Sequence, residues 1–321
     1  MKRLLAAALA VLFAACGPLS DADEFRNASP SRQGIDIKVP AGSGQALTAE
    51  GYGQQEQALL GERAPWYVLT RAITVIVNGG TAWVLNLCEE IVKYEPTTLE
   101  EDRAIWGPHT EPLSPNTFKF TVTRATEGYD YALEAKPKDA DDSAYVKLIF
   151  GHHVPGATEL EGQGTFTVDW DAAQTLPEKS KEIGKANFSY ARNAALDVTV
   201  GVQFKQVRDE ETSQLIDADY AFAQATGGDG SFEFVIHKDM TDLPSNTAAI
   251  ERMAVMSRWH NDGAGRCDVK VSEGDIVTPV TLSECWGPTF LETYYSDSLG
   301  MAAVQGEESA CVFATAEYTE L

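Results

Sequence analysis

Basic side chains are scarce in this sequence. Twenty-five Lys and Arg stand against 48 Asp and Glu, a formal charge of −23. A field of that sign repels nucleic acid and anionic lipid headgroups and argues against any polyanion as partner. The acidic residues are spread along the chain rather than blocked, the pattern of solvated faces and loops. Cysteine is sparse too, five in 321 residues, and no two stand as CxxC, which removes the redox motif and the zinc ribbon. Catalytic signatures are missing: there is no GxSxG, no HExxH, no Walker A, and no GxGxxG in strand–helix context. The chain is therefore read as no enzyme, with no cofactor and no metal. His152 and His153, adjacent on a strand, point to opposite faces and do not share an ion. Asp139, Asp141 and Asp142 lack the glycine and distal glutamate of a calcium loop. Asp169 and Asp171 flank Trp170 on a strand's polar side, and nothing in the sequence sets them across a cleft.

Nor is there a long enough apolar run for a membrane span. The charge-free window from Ala72 to Cys88 falls short of the roughly 20 residues required and contains Asn78 and Asn86. It reads instead as the middle of a buried helix over 65–95. Leu69, Ile73, Ile76, Gly80, Val84, Leu87, Ile91 and Tyr94 share one face, widened by Val77, Trp83 and Cys88. Pro65 suits the first helical position and Pro96 ends the run. Gly79-Gly80 is expected to kink it. Such a helix is about 40 Å long at roughly 1.5 Å per residue.

Beyond it, Thr98-Leu99-Glu100-Glu101 has the form of a capping box and predicts one helical turn. Trp106-Gly107-Pro108-His109 predicts an irregular passage. After Asn116, over 117–321, the period changes to two, with Phe118/Phe120/Val122, Tyr129/Tyr131/Leu133, Val146/Leu148/Phe150 and Phe166/Val168/Trp170 among the apolar sets. Later sets include Leu196 to Phe204, Phe232/Phe234/Ile236 and Cys267/Val269/Val271. Polar residues fill the alternate positions, so one face meets water and the other a core. The Gly-rich pieces, Gly151 with Gly156, Gly162-Gln163-Gly164 and Gly227 to Gly230, read as turns between strands. The fold class is α+β, mainly β: a curled antiparallel meander, a half-barrel of about 11–12 strands, packed on one long apolar N-terminal helix. Residues 61–321 form a single domain. A closed barrel or a sandwich with the helix outside is the alternative.

The beginning of the chain carries a resemblance. Lys2 and Arg3, an apolar run from Leu4 to Ala15, and Phe13-Ala14-Ala15-Cys16 together resemble a bacterial lipoprotein signal peptide with its lipobox. Phe13 departs from the usual aliphatic residue. The resemblance implies removal of residues 1–15, lipidation of Cys16 and, because Gly17 is not aspartate, the outer membrane as destination. Residues 16–60 then have the composition of a flexible lipidated tether, with a reach of roughly 35–40 Å. An envelope address implies oxidising surroundings. The four remaining cysteines, Cys88, Cys267, Cys285 and Cys311, allow three pairings; Cys285 with Cys311 is favoured, and Cys88 with Cys267 would complete the set.

Taken whole, the chain resembles the β-rich bacterial envelope lipoproteins of myxobacterial type, on the stretches Val77-Asn78-Gly79-Gly80-Thr81-Ala82 and Ser283-Glu284-Cys285-Trp286. That resemblance implies a location, lipid-anchored at the outer membrane on its periplasmic or outer side, without a mechanism. The functional reading is a structural or interaction protein of the cell surface, with an envelope protein as partner. The alternative is a half-barrel carrier of a hydrophobic ligand such as a lipid, its ligand face being Phe118, Phe120, Tyr131, Phe150, Trp170, Phe204 and Phe234.

Overall fold

The computed structural model describes residues 21–26, 28, 35, 38–40, 60–158, 160–209, 213–240 and 249–321. Inside the long helix, the side chains of 76 and 79–83 lie outside that description, as do the lipobox and Cys16. The Gly79-Gly80 reading therefore has no described surroundings.

Among the described residues the chain is mainly β, one open sheet of 15 strands in sequence order. The strands are β1 (Thr98–Leu99), β2 (Arg103–His109), β3 (Asn116–Arg124), β4 (Tyr129–Pro137) and β5 (Val146–Pro155). They continue as β6 (Gly162–Asp169), β7 (Lys185–Arg192), β8 (Val198–Arg208), β9 (Leu215–Gln224) and β10 (Gly230–Lys238). The last five are β11 (Glu251–Trp259), β12 (Gly265–Glu273), β13 (Ile276–Trp286), β14 (Glu292–Asp297) and β15 (Gln305–Gly306). Every neighbouring pair is antiparallel, and β1 and β15 do not meet, so the sheet is not a closed barrel. A meander is what short turns between consecutive strands dictate.

The strand number exceeds the expected 11–12. The capping-box stretch is the extended β1 rather than a helical turn, and the Trp106-Gly107-Pro108 passage lies within β2. Trp106 pairs with Phe120 before the register shifts. Its buried ring on the core side outweighs the turn chemistry of the Gly-Pro that follows. Gly151, Gly162 and Gly164 lie within β5 and β6, not between them. A Cβ at Gly151 would sit 2.3 Å from the Thr165 carbonyl oxygen and 2.7 Å from both the Tyr131 hydroxyl and the Phe166 Cβ. The aromatic rings of the core lie over these bare stretches of backbone.

One row of cross-strand neighbours shows how the core face is laid out. Val122, Tyr131, Gly151, Phe166, Phe188, Val202, Tyr220, Phe234, Val255, Val269 and Leu282 stand side by side from β3 to β13. Ring contacts run along it: Phe166 stacks on Phe188 at 4.3 Å between centroids, and Tyr220 meets Phe234 at 4.8 Å. Cross-strand aromatic pairs of this kind each add roughly 0.5–1.5 kcal/mol beyond their area.

The chain is helical at α1 (Asp21–Arg26), α2 (Pro65–Val92) and the short α3 (Trp170–Ala173). Asp169 caps α3 by accepting from the Ala172 N–H, so Trp170 is not on a strand. In α2, Tyr67, Ile73, Val77, Val84, Leu85, Cys88 and Val92 belong to the same apolar core as the sheet row. Thr70 and Thr74 are buried as well, their hydroxyls donating back to the Trp66 and Thr70 carbonyls. The expected last member of the stripe, Tyr94, is exposed. Among the described residues no helix is long and apolar enough to cross a membrane.

Part of the expected tether is docked. In α1, Phe25 is fully buried, edge-on to Tyr129 and beneath the Arg124 guanidinium. Glu24 pairs with Arg124, and Arg26 reaches the Val92 carbonyl at the end of α2. The composition of 16–60 is linker-like on average, but Phe25, Ala28 and Ile35 are buried in the core. Phe25→Ala is expected to cost about 3 kcal/mol or more in urea unfolding; a loss under about 1 kcal/mol would mean α1 is not seated there.

Cys285 and Cys311 are joined, with Cα atoms 5.6 Å apart. The second expected pairing is not formed: Cys88 and Cys267 are separate buried thiols. The reason is the direction of α2. Cys88 bears on Tyr131 of β4, whereas Cys267 lies on β12 beside the helix's other end.

Candidate functional site

The expected ligand face is divided by the structure. Phe120, Tyr131 and Phe234 are buried in the common core, and Trp170 and Phe204 are half-buried against it. Phe118 is half-buried near the start of β3 and outside that core. Phe150 is the correction. Val146 pairs with the buried Ala135, but the register shifts beyond it, Lys147 opposing Glu134 and Ile149 opposing Leu133. Leu148 is the extra residue. It reverses the alternation, so Ile149 points into the core and Phe150 to the opposite face.

That opposite face is the outward side of the sheet, away from α2. Its first row is Thr121, Ala132, Phe150, Thr167, Asn187, Gln203 and Asp219, cross-strand neighbours from β3 to β9. The second row is Thr123, Asp130, His152, Thr165, Ser189, Gly201 and Ala221. Two clefts lie along them, of ≈ 430 Å³ over β3–β6 and ≈ 460 Å³ over β6–β9, sharing Thr165 and Thr167. Among the described residues, none of α2 lines either.

Solvent-facing strands ordinarily carry long charged side chains. Here, of the eight row positions on β6–β9, Asp219 alone is charged and the rest are Thr, Asn, Ser, Gln, Gly or Ala. Thr167 donates to the Asn187 amide oxygen at 2.8 Å. Among the described residues Asp219 Oδ1 is buried without a hydrogen-bond partner, while its Oδ2 lies 3.7 Å from the Lys205 ammonium. At the other end the Lys147 ammonium lies 5.7 Å from the Phe150 ring, Lys119 pairs with Glu134 at 3.3 Å, and His152 Nδ1 is 2.8 Å from Asp130. The surface offers many hydroxyl and amide groups, one ring, and little positive charge.

His153, next along from His152, faces the core and its Nδ1 is 2.8 Å from the Tyr190 hydroxyl. Burial holds it neutral, its pKa lowered to about 4. The two histidines thus take opposite faces. Among the described residues no three His, Cys, Asp or Glu are grouped to hold a metal ion.

A second polar cluster lies inside, under the start of α2. Ala64 supplies no side-chain cap; the fully buried Glu284 of β13 accepts from the Trp66 and Tyr67 N–H groups at 3.0 and 3.2 Å. A carboxylate at a helix N-terminus meets both its unpaired donors and its dipole. The Thr70 and Ser257 hydroxyls lie 2.5 Å apart beside it. Burial pushes the Cys88 thiol up to about 12 and the Cys267 thiol well above its usual value, so neither is a nucleophile at neutral pH. Sequence reasoning missed this cluster because Glu284 interrupts an apolar alternation. It missed the outward rows because polar-outward is what any solvated sheet shows.

No family model, curated protein or solved structure matches the chain.

Proposed function

We propose that the chain is an envelope lipoprotein, tethered through a lipid on Cys16, whose β domain is an interaction module rather than a carrier. Its recognition surface is the outward face of β3–β9. The observation that carries this reading is the contrast between the two faces. The outward one holds two abutting clefts, the first lined by Glu134, Lys147, Phe150 and His152 among threonines, the second by Asn187, Ser189, Gln203 and Asp219 with Leu321. The inward one is built of packed aromatic rings, Phe120, Phe166, Phe188, Phe222 and Phe232 among them, all buried with the helix in one core.

In this reading the sheet curls as a half-barrel around α2. The helix meets β13 at its start, where Tyr67 lies 5.5 Å from the Trp286 ring, and β2 just past its end, where the Trp106 indole donates to the Tyr94 carbonyl at 2.9 Å. Eleven strand spacings separate β2 from β13, about 53 Å at ~4.8 Å each. The helical path from Tyr67 to Tyr94 is about 40 Å. A sheet longer than the rod it touches at both ends supports curvature around that rod.

Two measurements test the proposal. Growth with a labelled fatty-acid precursor is expected to label the native protein and not Cys16→Ala; an unlabelled native protein removes the anchor. Organic extraction of the purified protein followed by mass spectrometry is expected to release no stoichiometric lipid beyond the covalent anchor. A bound lipid at one per chain would restore the carrier reading and overturn this one.

A further inference from the structure

We propose that the outward trough of β3–β9 is a binding site for a neutral oligosaccharide, an extension that rests on the interaction-module reading above. Three features select that ligand class. The first is hydrogen-bonding chemistry: Thr167, Asn187, Gln203 and Asp219 stand side by side on four successive strands. Hydroxyl, amide and carboxylate groups in a row both donate to and accept from sugar hydroxyls, and Asp219 holds its Oδ2 3.7 Å from the Lys205 ammonium. The second is Phe150, turned outward by the bulge into the first cleft, where its ring face can stack on the C–H face of a sugar.

The third is charge. With −23 overall, and Lys119 and Lys205 beside the trough paired to Glu134 and Asp219, the trough disfavours anionic polymers. A protein partner fits less well. Strands β3–β9 all have neighbours on both sides, so none offers an edge for strand addition. The rows present a single large apolar side chain, too little for a helix to dock on. The trough crosses seven strands, about 29 Å at ~4.8 Å per spacing. That length suits several sugars in line, with Phe150 gripping one end and Asn187, Gln203 and Asp219 the other.

The test uses the purified full-length protein in detergent with amylose, cellulose, chitin and dextran as solid phases, and heparin as the anionic control. Retention on at least one neutral polymer and none on heparin is expected. Phe150→Ala and the double variant Asn187→Ala/Gln203→Ala are each expected to weaken binding at least tenfold without a change in melting temperature. Retention by none of the four neutral polymers, preference for heparin, or equal retention by the variants overturns the proposal. If glycan binding fails while cross-linking to an envelope protein is blocked by the same substitutions, the oligosaccharide is wrong and the interaction module stands. Release of a stoichiometric lipid would remove both.

Discussion

Arg266→Ala is expected to destabilise the domain by about 3–5 kcal/mol, as loss of one partner from a buried ionic network does. Arg266 and Asp268 are both fully buried on β12, on the face away from α2. What buries them is the segment after β15. Arg266 donates through Nε to Asp268 at 2.8 Å, through Nη2 to Ser283 and Glu308, and through Nη1 to the Phe313 carbonyl at 3.1 Å. Arg258 binds the other Asp268 oxygen at 3.0 Å and the Thr315 carbonyl at 2.9 Å. The Glu317 N–H donates to Asp268, and Arg252 to the Thr319 carbonyl. Alternate residues of an extended strap are thus clasped by arginines, while Cys311 fixes its beginning to Cys285.

Removing Arg266 takes the guanidinium donor from the Phe313 carbonyl and leaves the buried Asp268 carboxylate to Arg258, Ser283 and the Glu317 N–H. Arg266→Lys should recover little, because one ammonium cannot meet four partners held by a planar fork. The double change Arg266→Met/Asp268→Leu should lie closer to the native stability than Arg266→Ala, since it removes the buried carboxylate with the arginine and leaves Arg258 paired to Glu317 at 2.6 Å. Denaturant unfolding of the variants measures this. A cost below about 1 kcal/mol for Arg266→Ala would mean that the strap is not clasped by this network.

That network marks where sequence reading stops. Period-two alternation was enough for a mainly β meander, because a sheet wet on one side writes its two faces into alternate residues. The spacing of Cys285 and Cys311 across a turn region was enough to favour their pairing. But outward polar positions on β12 look in sequence like those on β7, although one set is buried under a strap and the other lines an open trough. Which is which depends on where residues 307–321 lie, a non-local matter. Phe150 fails for a local reason: one inserted residue, Leu148, flips every later side chain of β5, and no composition signal announces it. The strand number falls short because Thr98–Leu99 and Gln305–Gly306 are too brief to show a period at all.

Inside the domain, Glu292 makes stability depend on pH. It is 2% exposed, and among the described residues neither carboxylate oxygen has a hydrogen-bond partner. Burial, and then the nearby Glu62, push its pKa up to about 7 from 4.5. Glu284, fully buried, is also held well above the carboxylate range, first by burial and then by Glu292. Below pH 4.5 Glu292 is protonated in both folded and unfolded chains. As pH rises from 4.5 through 7 the unfolded chain ionises first, so the stability contributed by the neutral form is lost, by up to about 3 kcal/mol.

His153 acts with the opposite slope: its folded value of about 4 against 6.5 means stability is lost as pH falls from 6.5 to 4. Between 4.5 and 6.5 the two largely offset each other. Glu292→Gln keeps the shape and removes one of them. The variant is expected to match the native protein near pH 4.5 and to exceed it at pH 8 by up to about 3 kcal/mol. Easing the ionisation of Glu284 acts in the same direction. Urea midpoints of both proteins at the two pH values give the comparison, because carboxylates common to both cancel in the difference. A native-to-variant difference that is the same at pH 4.5 and pH 8 would mean that Glu292 titrates as an ordinary surface carboxylate, and that the polar cluster beneath the start of α2 is better solvated than its burial implies.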